Sequence, residues 1–402
     1  MKLRLKLMET QESMCITQQK KSAIGLPPEN RLNQEIQVLR AIAVLAVIVH
    51  HLAGLFVWDV TKWSQVGQGL YVGVDLFFCV SGFVIARTLL PKLEDKTGIT
   101  FWKECGAFWV KRLYRITPSA WLWLLIPMAL GPLMIHTQAA QFNSQNLADI
   151  AAAILHVENL HFYNCTTGSG QCGVFALYWS LSLEEQFYIA LPFIVFFFRK
   201  RLPLVLTCLV FAQLFITRHE WNGILSFIRT DAILLGVLIA IFSNTPIYKA
   251  LEPSLNSSRF RLVIPALLLF SLFATTRFQI VSFYTGLAAV VCAVIVWLCS
   301  YDKGYFFKPS PTRDFLAWIG TRSYAIYLIH IPSFWFTREI WAWIEPQGTE
   351  LNETYTLQFA LTALVLIFAL AELNYRFVEE PLRKRGHIRA KSLFSRQVLE
   401  TA

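Results

Sequence analysis

Ten residues separate Arg40 from His51 in a run that is otherwise almost wholly apolar, Arg40-Ala-Ile-Ala-Val-Leu-Ala-Val-Ile-Val-His50-His51. On a helix turning about 100° per residue, Arg40 and His51 fall within about 20° of one face and about 16 Å apart along the axis. His50 points about 80° away from Arg40. The planar fork of an arginine suits phosphate, and an imidazole suits proton transfer near neutral pH. Ionisable groups are costly in an apolar segment and mark function there by default. The competing reading is a helix-packing arginine and a histidine bonded to a neighbouring helix.

Further polar groups sit in apolar surroundings. Arg112 and Arg115, in Phe108-Trp-Val-Lys-Arg112-Leu-Tyr-Arg115-Ile-Thr-Pro118, share one helical face. In Trp179-Ser-Leu-Ser-Leu-Glu184-Glu185-Gln-Phe-Tyr188, two carboxylates open an apolar run, with Glu184 and Tyr188 one turn apart. Arg229 and Asp231 enter another run, and Arg322, Tyr324 and His330 lie along a later one. Glu379 and Glu380, near the end, read as neutralisers of nearby basic residues. Interfacial anchoring is the alternative for the arginines, and helix capping for one of the glutamates.

The elements that must hold these groups are membrane helices. Of 402 residues, 55% are hydrophobic and 15% charged, and the mean hydropathy is +0.48. A soluble domain carries about 25% charged residues. Apolar runs at 36–57, 69–90, 117–135, 179–198, 202–217, 223–242, 262–276, 279–299, 315–337 and 355–374 predict an all-α bundle of about ten transmembrane helices. Lys and Arg concentrate in the segments Lys2–Arg31, Arg87–Arg115, Arg199–Arg201, Lys249–Arg261, Lys303–Arg313 and Arg376–Arg396. The opposite set holds only Lys62, Arg218, Arg277 and Arg338. That asymmetry predicts N-in and C-in orientation and accounts for the net charge of +10 without nucleic acid. The expected organisation is a polar cytoplasmic tail (1–33), a transmembrane domain (34–385) and a basic cytoplasmic tail (386–402). The first tail has no apolar core before a cleavage site, so the first helix is expected to stay as an uncleaved anchor.

The longest outer loop, 138–178, contains neither Lys nor Arg but holds Cys165 and Cys172. These two could be bridged on an oxidising face of the membrane or remain free thiols. The sequence offers no Gly-rich phosphate loop and no zinc-spaced Cys/His cluster, so no metal is expected.

The Glu35–Arg40 segment through His51 resembles the opening Arg-x10-His motif of the membrane acyltransferase-3 family, whose members acylate glycans and other extracytoplasmic acceptors. Tyr71-Val-Gly-Val-Asp75-Leu-Phe-Phe-Cys79-Val-Ser81-Gly82-Phe83 resembles the second-helix signature of that family. The Arg112/Arg115/Pro118, Trp179–Tyr188, Arg229–Gly236 and Ser323–His330 segments follow in the family's order, and the likeness covers about 35–385. Cys79, the doubled His50-His51 and the cysteine-bearing loop depart from the pattern. No SGNH-type hydrolase segment occurs, so a transfer route through a second domain is not expected within the chain.

The resemblance implies an O-acyltransferase of the bacterial inner membrane. It would move an acyl group, acetyl above all, from cytoplasmic acyl-CoA to a hydroxyl of an extracytoplasmic or lipid-linked glycan. Acyl-CoA is then a donor substrate and no cofactor is held permanently. Arg112, Arg115 and Arg87 are the expected contacts for the CoA phosphates, with Arg40 guiding the donor. His51 is the expected general base, and Glu184 the group that orients it. Ser81, Glu185, Tyr188, Arg229, Asp231 and His330 are further site candidates. Direct transfer and an acyl-histidine intermediate stay open. A secondary transporter using intramembrane Arg, His and Glu is the alternative, against which stands the lack of related halves. A membrane glycosyltransferase lacks support from any acidic metal-binding motif.

Overall fold

The computed structural model describes residues 33–168, 171–218, 223–254 and 263–395. The expected N-terminal tail before Asn33, the basic stretch 255–262 and the end of the C-terminal tail from 396 lie outside the described residues.

Regular structure in the described residues is helical throughout. The principal helices are α1 (Gln34–His50), α2 (Val72–Leu93), α3 (Gly98–Leu130), α4 (Ser144–Ile154), α5 (Glu158–Thr167), α6 (Trp179–Phe198) and α7 (Leu202–Leu214). They continue as α8 (Asp231–Phe242), α9 (Val263–Phe278), α10 (Tyr284–Ser300), α11 (Pro311–Thr321), α12 (Ser323–Ile344), α13 (Thr356–Asn374) and α14 (Glu380–Ser395). A π turn, Tyr375–Glu379, joins the last two.

The expected ten membrane spans are not found. Four stretches among the described residues are long and apolar enough to cross a bilayer: Val72–Leu93, Gly98–Leu133, Ile224–Phe242 and Glu353–Phe394. Apolar run length in the sequence overstated helix length. The first run was expected to reach residue 57, but α1 ends at His50 after 17 residues. Helix α7 has 13 residues, about 20 Å of rise against the roughly 30 Å of hydrocarbon. The run 315–337 is cut at Arg322, which ends α11 and precedes α12. Helices α9 and α10 are apolar but have 16 and 17 residues.

Local sequence explains the elements that carry the site. Asn33 caps α1, its side chain accepting from the Ile36 amide at 2.9 Å, which satisfies one of the amides a helix start leaves open. The Glu35 carboxylate accepts from the amides of Gly304 (2.9 Å) and Phe306 (2.8 Å), fixing the start of α1 against the segment after α10. Helices α2 and α8 cross at close range. Gly82 lies under the Ile233 carbonyl and Gly236 under the Cys79 carbonyl, so a side chain at either glycine would collide with backbone. Small residues at a crossing let helix backbones approach in this way. A buried ion pair reinforces it, with Arg229 Nε 3.0 Å from Asp75 Oδ1, and a second, Arg218 Nη1 2.6 Å from Asp231 Oδ2, ties the start of α8 to the chain leaving α7.

Candidate active site

Helices α1, α2, α3, α6 and α12 enclose a cavity lined by Arg40, Ser81, Arg112, Arg115, Glu184, Glu185 and Tyr188, with Ser180, Ser323, Tyr324 and Tyr327. Eight residues singled out in the sequence, Tyr324 among them, from five separate segments therefore face one space. Helical spacing does the local work. Arg112 and Arg115 are three apart on α3, and Glu184 and Tyr188 four apart on α6, so each pair projects from one face.

Among the described residues, neither Arg40, Arg112 nor Arg115 has a carboxylate within 4.0 Å, whereas Arg218, Arg229, Arg322 and Arg376 each do. Arg40 Nε donates to Ser323 Oγ at 3.1 Å. Arg112 lies over the rings of Phe108 and Tyr188, at 5.5 and 5.4 Å. The Tyr188 hydroxyl donates to Glu184, and Glu185 Oε1 is buried without a hydrogen-bond partner. The cavity lining thus carries three cations and two carboxylates, with the buried Glu379 behind Arg40 and Arg115, and guanidiniums that no carboxylate contacts directly are fitted to an anionic ligand.

The histidines lie beyond the cavity wall. His51 caps α1, its backbone amide bonding back to Val47 and Ile48. Its Nδ1 lies 2.9 Å from the Val47 carbonyl and 3.3 Å from His330 Nε2. His330 Nδ1 lies 2.6 Å from the Tyr327 carbonyl. His50 turns elsewhere, with Nδ1 3.0 Å from the Gly67 carbonyl. Glu184, expected beside His51, bonds Tyr188 instead, and His330 occupies the neighbouring place.

Tyr327 joins the two regions. It lines the cavity, and its ring centre is 5.7 Å from that of His330. Its hydroxyl donates to the Leu177 carbonyl at 3.0 Å and accepts from Ser180 Oγ at 2.8 Å. Sequence reasoning missed Tyr327, Ser180 and Ser323. For Tyr327 a signal existed: it stands three residues before His330, on the same helical face.

Other candidates fall outside. Arg87 is exposed and lies over Phe83 at 5.7 Å, away from the cavity. Arg229 and Asp231 are each held in a buried ion pair, with Asp75 and Arg218 respectively. Cys165 and Cys172 form a disulfide with Cα atoms 5.2 Å apart, in the segment that packs beside the start of α6.

Comparison with known proteins assigns the chain to a family. The acyltransferase domain family matches residues 33–372. The chain is 27% identical over 379 residues to the peptidoglycan O-acetyltransferase OatA of Listeria monocytogenes, covering 88% of this chain and 56% of that protein. It is 28% identical over 390 residues to the O-acetyltransferase OatA of Staphylococcus aureus, covering 90% and 60%. A putative O-acetyltransferase of Staphylococcus aureus is 30% identical over 383 residues, covering 87% and 57%. The chain therefore spans less than two thirds of the length of these relatives. No solved structure matches it. With apolar helices and bacterial relatives, this is a membrane-associated bacterial protein, and its chain belongs to the acyltransferase domain family.

Proposed function

We propose that the protein transfers an acyl group, acetyl above all, from cytoplasmic acyl-CoA to a hydroxyl of an extracytoplasmic or lipid-linked glycan in the bacterial inner membrane. The observation that carries this reading is the set of three arginines, Arg40, Arg112 and Arg115, that line one cavity with no carboxylate among the described residues within 4.0 Å. Such guanidiniums in a shared space suit the phosphates and pyrophosphate of CoA. Arg40 also stands on the helix that His51 caps, so a donor held there has its acyl end directed along α1. The O-acetyltransferase names of the bacterial relatives favour acetyl as the group and a cell-envelope glycan as the acceptor.

In this account the acceptor hydroxyl gives its proton to His51 as its oxygen attacks the thioester carbonyl. The tetrahedral intermediate then collapses, the C–S bond breaks, and the departing CoA sulfur recovers the proton from the imidazolium. General-base assistance of this kind is worth roughly 10²–10⁴-fold. The direct test is incubation of purified protein with labelled acetyl-CoA and a crude envelope-glycan fraction. Label in the glycan that alkali releases as acetate supports O-acyl transfer. Acetyl-CoA left intact, with the same glycan O-acetylated by a control enzyme, contradicts it.

A further inference from the structure

Outside the cavity, the described residues hold one cluster of a histidine and two carboxylates in which one buried carboxylate has no hydrogen-bond partner. Helices α4 and α5 are joined by a turn in which His156 takes the left-handed conformation, with φ of 56°. The reversal folds Asp149 of α4 against Glu158 and His161 of α5, and one donor atom from each residue lies within 4.8 Å of the other two. Asp149 and Glu158 are both 0% exposed. They are also the only acidic residues of 138–178, a segment without Lys or Arg.

The two carboxylates are treated differently. Asp149 is fully engaged: Oδ1 accepts from the Gly173 amide at 3.1 Å and lies 3.1 Å from His161 Nε2, and Oδ2 accepts from the Phe175 amide at 2.9 Å. Both oxygens of Glu158 are buried with no hydrogen-bond partner among the described residues. A buried carboxylate with neither donor nor counter-ion costs several kcal/mol. The cost is removed by a proton or by a cation. Yet a lone proton satisfies one Glu158 oxygen only, whereas a cation is shared by Glu158, Asp149 and the imidazole that lies against Asp149 Oδ1.

We infer that Asp149, Glu158 and His161 bind a divalent transition-metal ion of the zinc class. Two carboxylate oxygens and one imidazole nitrogen suit Zn²⁺ at about 2.0–2.2 Å, and three protein ligands leave a position for water. Ligand atoms around such an ion stand roughly 3.5 Å apart, so the trio closes by an ångström or so on binding. His161 then coordinates through Nε2 and carries its proton on Nδ1. The Gly173 and Phe175 amides hold the Asp149 carboxylate in place, as outer hydrogen bonds do at metal sites. The ion fastens α4 and α5 to the chain entering α6, which the Glu158 amide also touches through Ser182 Oγ at 3.2 Å.

The experiment needs no acyl-transfer assay, so its failure is separate from failure of the proposed function. Protein purified in detergent without a polyhistidine tag is stripped with EDTA and titrated with Zn²⁺ by calorimetry, with metal counted by mass spectrometry. The expected result is one Zn²⁺ per chain, lost or weakened at least about tenfold in both Glu158→Gln and His161→Ala. A melting temperature that rises when zinc is restored to the stripped wild type is expected as well. Sub-stoichiometric binding by the wild type overturns the inference. So does loss in His161→Ala with retention in Glu158→Gln, which marks an adventitious surface histidine. If Glu158→Gln fails to fold, the wild-type stoichiometry and the partly exposed His161 still decide.

Discussion

His330 Nε2 lies 3.3 Å from His51 Nδ1, and each ring is anchored by a backbone carbonyl, Tyr327 for His330 and Val47 for His51. A carbonyl only accepts, so both Nδ1 atoms carry hydrogen when the rings are neutral. His330 Nε2 is then a lone pair facing the His51 Nδ1–H, and the lone pair of His51 is left on Nε2. The pair fixes the tautomer a general base needs, a task performed elsewhere by a carboxylate.

This relation makes His330 a positioning residue. His330→Ala is expected to lower kcat by about 10–100-fold while leaving the KM for acyl-CoA near its wild-type value, because the donor cavity is untouched. His330→Gln, which can keep an acceptor near His51, is expected to recover part of the loss. A rise in KM with kcat intact would reduce His330 to a wall of the binding space.

The donor contacts predict a different pattern. Loss of a charge-assisted hydrogen bond costs about 1.5–3 kcal/mol, so Arg112→Ala and Arg115→Ala are each expected to weaken acyl-CoA binding about tenfold or more. Added salt is expected to narrow the difference from wild type, since screening weakens the phosphate contacts that the variants lack. Arg87→Ala, outside the cavity, is expected to bind normally. Calorimetric titration at two salt concentrations checks all three.

The buried pair of Asp75 and Arg229 separates stability from chemistry. Asp75→Ala leaves a guanidinium buried and unpaired, which costs about 3–5 kcal/mol and should appear as low detergent-stable yield. Replacing both partners, Asp75→Leu with Arg229→Met, is expected to restore much of that yield. Transfer activity recovering alongside yield assigns the pair to the fold. Stable protein without activity would return both residues to the site.

The disulfide offers a fourth test. Closing so short a loop is worth about 2–3 kcal/mol by chain entropy, so Cys165→Ser with Cys172→Ser should lower thermal stability measurably. Its segment packs beside the start of α6 and contributes no residue to the cavity lining. The KM for the acceptor is expected to rise more than that for acyl-CoA, and the reverse order would place the loop over the donor.

Much of the candidate site was legible because single-helix periodicity decides it. The Arg112/Arg115 face and the Glu184–Tyr188 pair each need one helix and its pitch, and the second is a direct hydrogen bond; the Arg40–His51 stripe is cut short, because α1 ends at His50 and His51 is its cap, outside the cavity lining. What one helix cannot give is rotation relative to its neighbours. For that reason His330 was seen as a candidate, but its meeting with His51 was not, and Glu184 was expected in its place. The same limit hid the Asp75–Arg229 pair and the meeting of Asp149, Glu158 and His161, which depends on the backbone reversal at His156. The span count failed for a different reason. Hydropathy measures how apolar a run is, whereas Arg322 breaks one such run and α7 stops after 13 residues, both within it.

The central claim is that His51, and not its neighbour His50, takes the proton of the acceptor hydroxyl. His50 Nδ1 bonds the Gly67 carbonyl, whereas His51 meets His330, so one residue of register separates a packing histidine from the proposed base. The most direct measurement is transfer of labelled acyl groups by His51→Ala and His50→Ala, at matched levels of protein checked for monodispersity in detergent. His51→Ala is expected to lose transfer by about 10²–10⁴-fold and His50→Ala to keep much of it. Wild-type turnover by His51→Ala, with loss in His50→Ala, would contradict both the register and the mechanism built on it.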